Sequence, residues 1–80
     1  MNSWFVYILK CTDGSLYTGI TTDVERRLAE HQAGTASKYT AAYGADKIVY
    51  TEKATDRSGA SKREAEIKQL TREEKQSLLG

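Results

Sequence analysis

The sequence predicts a small α/β domain of the α+β kind. It should be a three-stranded, mainly antiparallel sheet flanked by helices in the order ββαβαα. Three observations carry this. Two β-branched and aromatic runs, Trp4–Lys10 (WFVYILK) and Leu16–Thr21 (LYTGIT), flank Thr12-Asp13-Gly14-Ser15, and Asp-Gly is a strong hairpin signal. Two later stretches have helical spacing and begin at capping residues. Between them lies a third strand-like run, Lys47–Glu52 (KIVYTE).

The elements follow in order. After the hairpin, Thr22 and Glu25 have the spacing of a capping box, so a helix should run from Asp23 to about Ala33 and stop at Gly34. Thr35–Asp46 is small and polar and reads as a loop, with room for one helical turn. Lys47–Glu52 is the third strand, and Asp56-Arg57-Ser58-Gly59 a turn. Ser61–Leu70 should be the next helix. Thr71 and Glu74 form a second capping box, which starts a last helix ending near Leu79.

The bulk numbers bound the function. Eighty residues make one domain, 1–80. A chain this short buries only about 60–65% of its unfolded surface, so every core position matters. One cysteine, Cys11, rules out an intramolecular disulfide, and no clustered histidine makes it a zinc site; it should be a small buried strand residue. A net charge of +1 excludes the strongly basic balance of a dedicated nucleic-acid binder, though local patches act without it. The apolar run Trp4–Leu9 has no basic region before it and is too short to span a bilayer. A cytoplasmic, monomeric protein without membrane contact is the expectation.

Polar side chains fall at unusual places. On the first helix Val24 and Leu28 mark the inward stripe; His31 points with them and Arg27 lies on their edge. Spacing alone also allows Arg27 to cover the core edge and His31 to favour the helix dipole. On the later helix Glu64 falls between Ala60 and Ile67, where a carboxylate needs a partner or a cation; an i,i+4 pair with Lys68 is the plain alternative. In the hairpin, Tyr7 shares a face with Phe5 and Leu9, and Tyr17 with Gly19 and Thr21. A glycine inside a strand usually marks a close approach. Two phenols, an arginine, an imidazole and a carboxylate suit attack on a phosphodiester. The only histidine is His31, and no phosphate-cradling glycine loop or metal-ligand cluster is present.

VYIL (Val6–Leu9), nine intervening residues from Tyr7 to Tyr17, and then YTG (Tyr17–Gly19) resemble the GIY-YIG nuclease superfamily. TTDVERRLAEHQAG and SKREAEIKQLTREEK resemble its small, stand-alone, single-domain bacterial branch. The resemblance covers Trp4 to about Leu79 and implies the GIY-YIG nuclease fold. It implies that Tyr7 and Tyr17 are the motif tyrosines, that Gly19 is the motif glycine, and that Arg27 is the catalytic arginine. His31 would be a proton acceptor and Glu64 the one metal-binding carboxylate, holding Mg²⁺ or Mn²⁺. Which tyrosine activates water stays open. Phe5 and Val6 stand where the first motif has glycine and isoleucine, and Thr18 where the second has isoleucine. Ile20 occupies a position that is lysine in some repair nucleases.

The implied function is a metal-dependent endonuclease acting on DNA, structure-specific in repair or recombination, with weak, salt-sensitive binding and RNA as another possible substrate. Candidate phosphate contacts are Arg26, Lys38, Lys62 and Arg63, with Tyr39 and Tyr43 as stacking residues. Arg72 and Lys75 read as ordinary helix surface. One rival reading is a nucleic-acid-binding module of the same fold within a larger complex. The other is an interaction domain in which Glu64 only pairs with Lys68.

Overall fold

The computed structural model describes residues 3–79; Met1, Asn2 and Gly80, which the expected 1–80 domain includes, lie outside the described residues. The elements are β1 (Trp4–Cys11), β2 (Leu16–Thr21), α1 (Val24–Gln32), α2 (Lys38–Tyr43), β3 (Ala45–Ala54), α3 (Arg57–Lys68) and α4 (Arg72–Leu78). The sheet is antiparallel in the order β2-β1-β3. The central strand is therefore the first one made, and β2 forms an open edge.

Strand alternation builds two cores on one sheet. Val6 and Ile8 face α3 and α4, where they pack on Ala60 and Ile67, with Trp4, Ile20 and Leu78 around them. Tyr7, Leu9 and Cys11 face the other way, against Tyr17, Leu28 and Ile48. Cys11 is free and buried, as its strand setting predicts. Register places Tyr7 opposite Gly19 and Leu9 opposite Tyr17, so both phenols lie on the α1–α2 side.

Several boundaries differ from the sequence reading, each for a physical reason. The cap of α1 is Asp23, not Thr22: its carboxylate accepts from Arg26 N at 3.0 Å. With Asp23 at the cap, the third helical residue is Arg26, so no Thr22–Glu25 box forms. Glu25 still lies in the first turn, where it favours the dipole. The end of α1 is as expected. Gly34, at φ +80°, lets its N–H reach His31 O and that of Thr35 reach Glu30 O, a Schellman closure.

The segment expected to be a loop contains α2, capped by Ser37, whose hydroxyl accepts from Thr40 N at 3.1 Å. Gly44 ends it at φ +77°, and a Cβ there would meet Thr12 Oγ1 at 2.5 Å. β3 is longer than KIVYTE because it pairs along all of β1, from Trp4↔Ala54 to Cys11↔Ala45. The Asp56–Gly59 turn is instead the start of α3, with Asp56 accepting from Gly59 N at 2.7 Å. Only α4 has its box as predicted, from Thr71 and Glu74.

The α3 face supplies most of the apolar packing. Ile67→Ala is expected to lower the unfolding free energy by about 2–5 kcal/mol. Thr71→Ala, which removes one cap from an exposed helix end, should cost about 1 kcal/mol. Urea denaturation of both variants checks the ratio; equal losses would contradict a core anchored at Ile67.

Candidate active site

The α1 face of the sheet is polar at its centre. The Tyr7 hydroxyl lies 2.7 Å from His31 Nε2, and His31 Nδ1 lies 2.7 Å from Thr40 Oγ1. Thr40 Oγ1 in turn lies 2.9 Å from Ser37 Oγ. Tyr7, His31 and Thr40 are each 1% exposed, so this chain of hydrogen bonds is sealed at its inner end. With Tyr7 donating to Nε2, Nδ1–H donates to Thr40, and the threonine hydroxyl turns toward Ser37. The chain joins β1, α1 and α2.

Local structure explains how it forms. His31 sits in the last turn of α1, two residues before the cap residue Ala33, and is the buried residue of that helix. Thr40 is the buried residue of α2 and follows Ser37 at cap spacing. Gly19 makes room for the phenol. A Cβ at that position would stand 2.5 Å from the Tyr7 oxygen and 2.7 Å from Cζ. Tyr17 completes the aromatic cluster, with its ring 6.4 Å from Tyr7 and 5.1 Å from His31, edge-on to the imidazole.

Arg27 and Glu64 bring the charges. Arg27 is half-buried and bound to Glu30 at 3.1 Å, while its Nε is buried with no hydrogen-bond partner among the described residues. Burial pushes the Tyr7 hydroxyl up to about 12; the adjacent Arg27 guanidinium opposes this, and the nearby Tyr17 and the Glu64 carboxylate add to it. Burial holds His31 below its ordinary value, the Arg27 charge adds to the fall, and Glu30 opposes it. The imidazole is thus a neutral acceptor at physiological pH.

Glu64 is not fully inward. Its side chain is 23% exposed and meets Lys68 Nζ at 3.2 Å, the pair that its spacing allowed. Among the described residues no three His, Cys, Asp or Glu side chains gather as a metal cluster. A partly exposed carboxylate, held only by a flexible surface lysine, fits a hard divalent cation that keeps most of its own waters. Glu64 is the residue that would hold it.

The remaining candidates are spread. Arg26 and Arg27 line a depression of about 330 Å³ with Arg57 and Trp4. Lys38 and Tyr39 are exposed on α2, and Lys62 on α3. Arg63 is engaged by two carboxylates, Glu52 at 2.7 Å and Glu66 at 3.3 Å. Sequence reasoning did not single out Thr40 or Ser37; the one signal was the Ser-x-x-Thr spacing of a cap.

The fold defines a class, and comparison with known proteins agrees. The profile of the GIY-YIG catalytic domain matches residues 3–77. The chain belongs to the GIY-YIG family, and so to the endonuclease superfamily of that name. Similar proteins occur in archaea and bacteria. The UPF0213 protein of Haloquadratum walsbyi is 53% identical over 98% of this chain and 89% of its own. That of Cronobacter sakazakii is 46% identical over 99% of this chain and 83% of its own. The solution NMR structure of the UPF0213 protein BH0048 from Bacillus halodurans superposes with a TM-score of 0.61 at 43% identity, covering 96% of this chain and 82% of that one. That of EF2693 from E. faecalis gives 0.66 at 47%, covering 99% and 84%. No helix among the described residues is long and apolar enough to cross a membrane.

Two outcomes are expected. Folding keeps His31 neutral, whereas the unfolded imidazole takes up a proton near 6.5. Its contribution to stability is therefore complete above that value and is lost as pH falls through the lower folded value, with a limiting slope of about 1.4 kcal/mol per pH unit. Chemical denaturation across this range should show that slope in the parent and not in His31→Gln; an identical slope in both would assign it elsewhere. Gly19→Ala should displace the Tyr7 ring and cost about 1–3 kcal/mol. Loss of the Tyr7–His31 contact in NMR spectra of that variant checks the cause.

Proposed function

We propose that this chain is a metal-dependent endonuclease that hydrolyses a phosphodiester bond in DNA. The observation that carries the reading is the sealed chain Tyr7–His31–Thr40 beside the guanidinium of Arg27. Hydrogen-bond satisfaction accounts for the phenol–imidazole pair, but not for a guanidinium held beside it with a buried Nε that has no partner among the described residues.

The roles follow from the chemistry of each group. As water attacks, the Tyr7 oxygen takes its proton while the phenol passes its own to His31 Nε2 in the same step, so that no free phenolate forms, and Thr40 takes the Nδ1–H bond and so fixes the tautomer. In this reading Arg27 offsets the negative charge that grows on the phosphoryl oxygens; its Nε has no hydrogen-bond partner among the described residues that such a role would break. Tyr17, on the open side of the cluster, orients the scissile group. Glu64 would hold Mg²⁺ or Mn²⁺, which when bound supplies Lewis-acid stabilisation of phosphate charge. A role in repair or recombination, on branched DNA, belongs to the same reading. Binding through so small a surface should be weak and salt-sensitive.

A second reading has one observation in its favour. Lys68 occupies Glu64, the pairing that an interaction domain predicts and that would also leave a nucleic-acid-binding module of this fold without its metal.

Nicking of branched DNA in Mg²⁺ and Mn²⁺ buffers, beside calorimetric metal binding, separates the two. Tyr7→Phe should lower the nicking rate by roughly 10²–10⁴, and Arg27→Gln by about 10²–10³. Glu64→Gln should lose both metal binding and cleavage. DNA binding without metal uptake or nicking in the parent would leave only the binding module.

A further inference from the structure

Beyond the Tyr7–His31 centre, aromatic rings continue outward along α2. Tyr17 stacks on Tyr39 with ring centroids 5.9 Å apart and planes inclined by 29°. Tyr39 meets Tyr43 at 4.7 Å. These two are the exposed large hydrophobics of the described residues, at 40% and 48%. They add little to either core, and the row starts at the ring that touches His31.

A cleft opens beside the same row. Ser15, Leu16, Tyr39, Arg72 and Lys75 line a cavity of about 210 Å³. Past Leu16 and Arg72 it adjoins a larger one of about 590 Å³, which adds Lys10 and Lys47. The two linings hold four cations and no carboxylate. Asp13 feels the charge of Arg72 but stands outside the lining. Arg72 makes only a long bond to Gly14 O at 3.4 Å. Among the described residues none of the four cations joins an ion pair.

Ring faces and cations in sequence match one chemistry. Unpaired bases present flat faces that tyrosines stack on, and their phosphates need a cationic track. In a duplex those faces are already stacked on each other. We propose that this surface takes a single-stranded DNA segment, its bases stacked on Tyr39 and Tyr43 and its phosphates along Lys75, Arg72, Lys10 and Lys47. The proposal rests on the nuclease reading, since it leads the strand to Tyr17 at the site of cleavage. It also assigns a role to Arg72 and Lys75, which sequence spacing alone leaves as ordinary helix surface.

The test is fluorescence anisotropy in EDTA, with a labelled short oligothymidylate and a blunt duplex of equal length. The parent should bind the single strand at least about tenfold tighter. Tyr39→Ala with Tyr43→Ala should weaken single-strand binding by about 10–100-fold and leave duplex binding unchanged, while the corresponding phenylalanine pair binds like the parent. Arg72→Gln with Lys75→Gln should reduce the salt slope by about 0.7 per charge. Equal or tighter duplex binding by the parent overturns the proposal. So does an alanine pair that keeps its single-strand affinity. If the alanine pair does not fold, the parent's preference and the salt slope of the Arg72–Lys75 variant decide. Single-strand binding through the tyrosines with no nicking in Mg²⁺ or Mn²⁺ sinks the nuclease reading alone; nicking of duplexes without single-strand preference sinks this inference alone.

Discussion

Tyr7 lies midway along the central strand with its whole ring inside the protein, and its hydroxyl must find a partner there. A buried hydroxyl left unpaired costs about 1–3 kcal/mol, a large share of the stability of so small a domain. His31 Nε2 meets that need at 2.7 Å, and the imidazole brings the same demand to its other nitrogen, which Thr40 meets. The same bond ties the last turn of α1, and through Thr40 also α2, to the central strand, and the phenol that makes it is why position 19 of the facing strand carries no side chain. The hairpin register and both helices of that face depend on the same phenol.

The two faces of the sheet do different work. On the α3 side, Val6, Ile8, Ala60 and Ile67 form a dry apolar cluster, and this face supplies packing. The α1 side gives up apolar area to a phenol, an imidazole and a threonine, and relies on hydrogen bonding instead. The same geometry leaves β2 as an open edge, with Tyr17 half-exposed upon it.

Charge follows a similar division. The net charge of +1 conceals unequal surfaces, because carboxylates neutralise some cations and not others. Arg63 is held between Glu52 and Glu66, and Arg27 is steadied by Glu30. Lys10, Lys47, Arg72 and Lys75 line a cleft without carboxylates. Free cations, rather than cations in general, define where a polyanion would lie.

Much of the fold was legible in the chain itself. Alternation in WFVYILK and LYTGIT, Asp-Gly between them and the Thr71–Glu74 box act over a few residues, so the hairpin and α4 could be read directly. Periodicity put His31 on the inward stripe of its helix, Arg27 at the edge of that stripe and Tyr7 beside Phe5 and Leu9; that they form one set with Tyr17 and Glu64 was an expectation from their combined chemistry and from the family resemblance. The structure alone decided the rest. Asp23 displaced Thr22 as the cap, β3 grew to match its partner strand, and α2 formed where the sequence reads as loop, since cap choice and strand length depend on long-range pairing. Thr40 became part of the site, and Arg72 and Lys75 part of a cleft, only when residues far apart in sequence were brought together. Local pattern fixes which way a side chain points; what it meets there is a property of the packed chain.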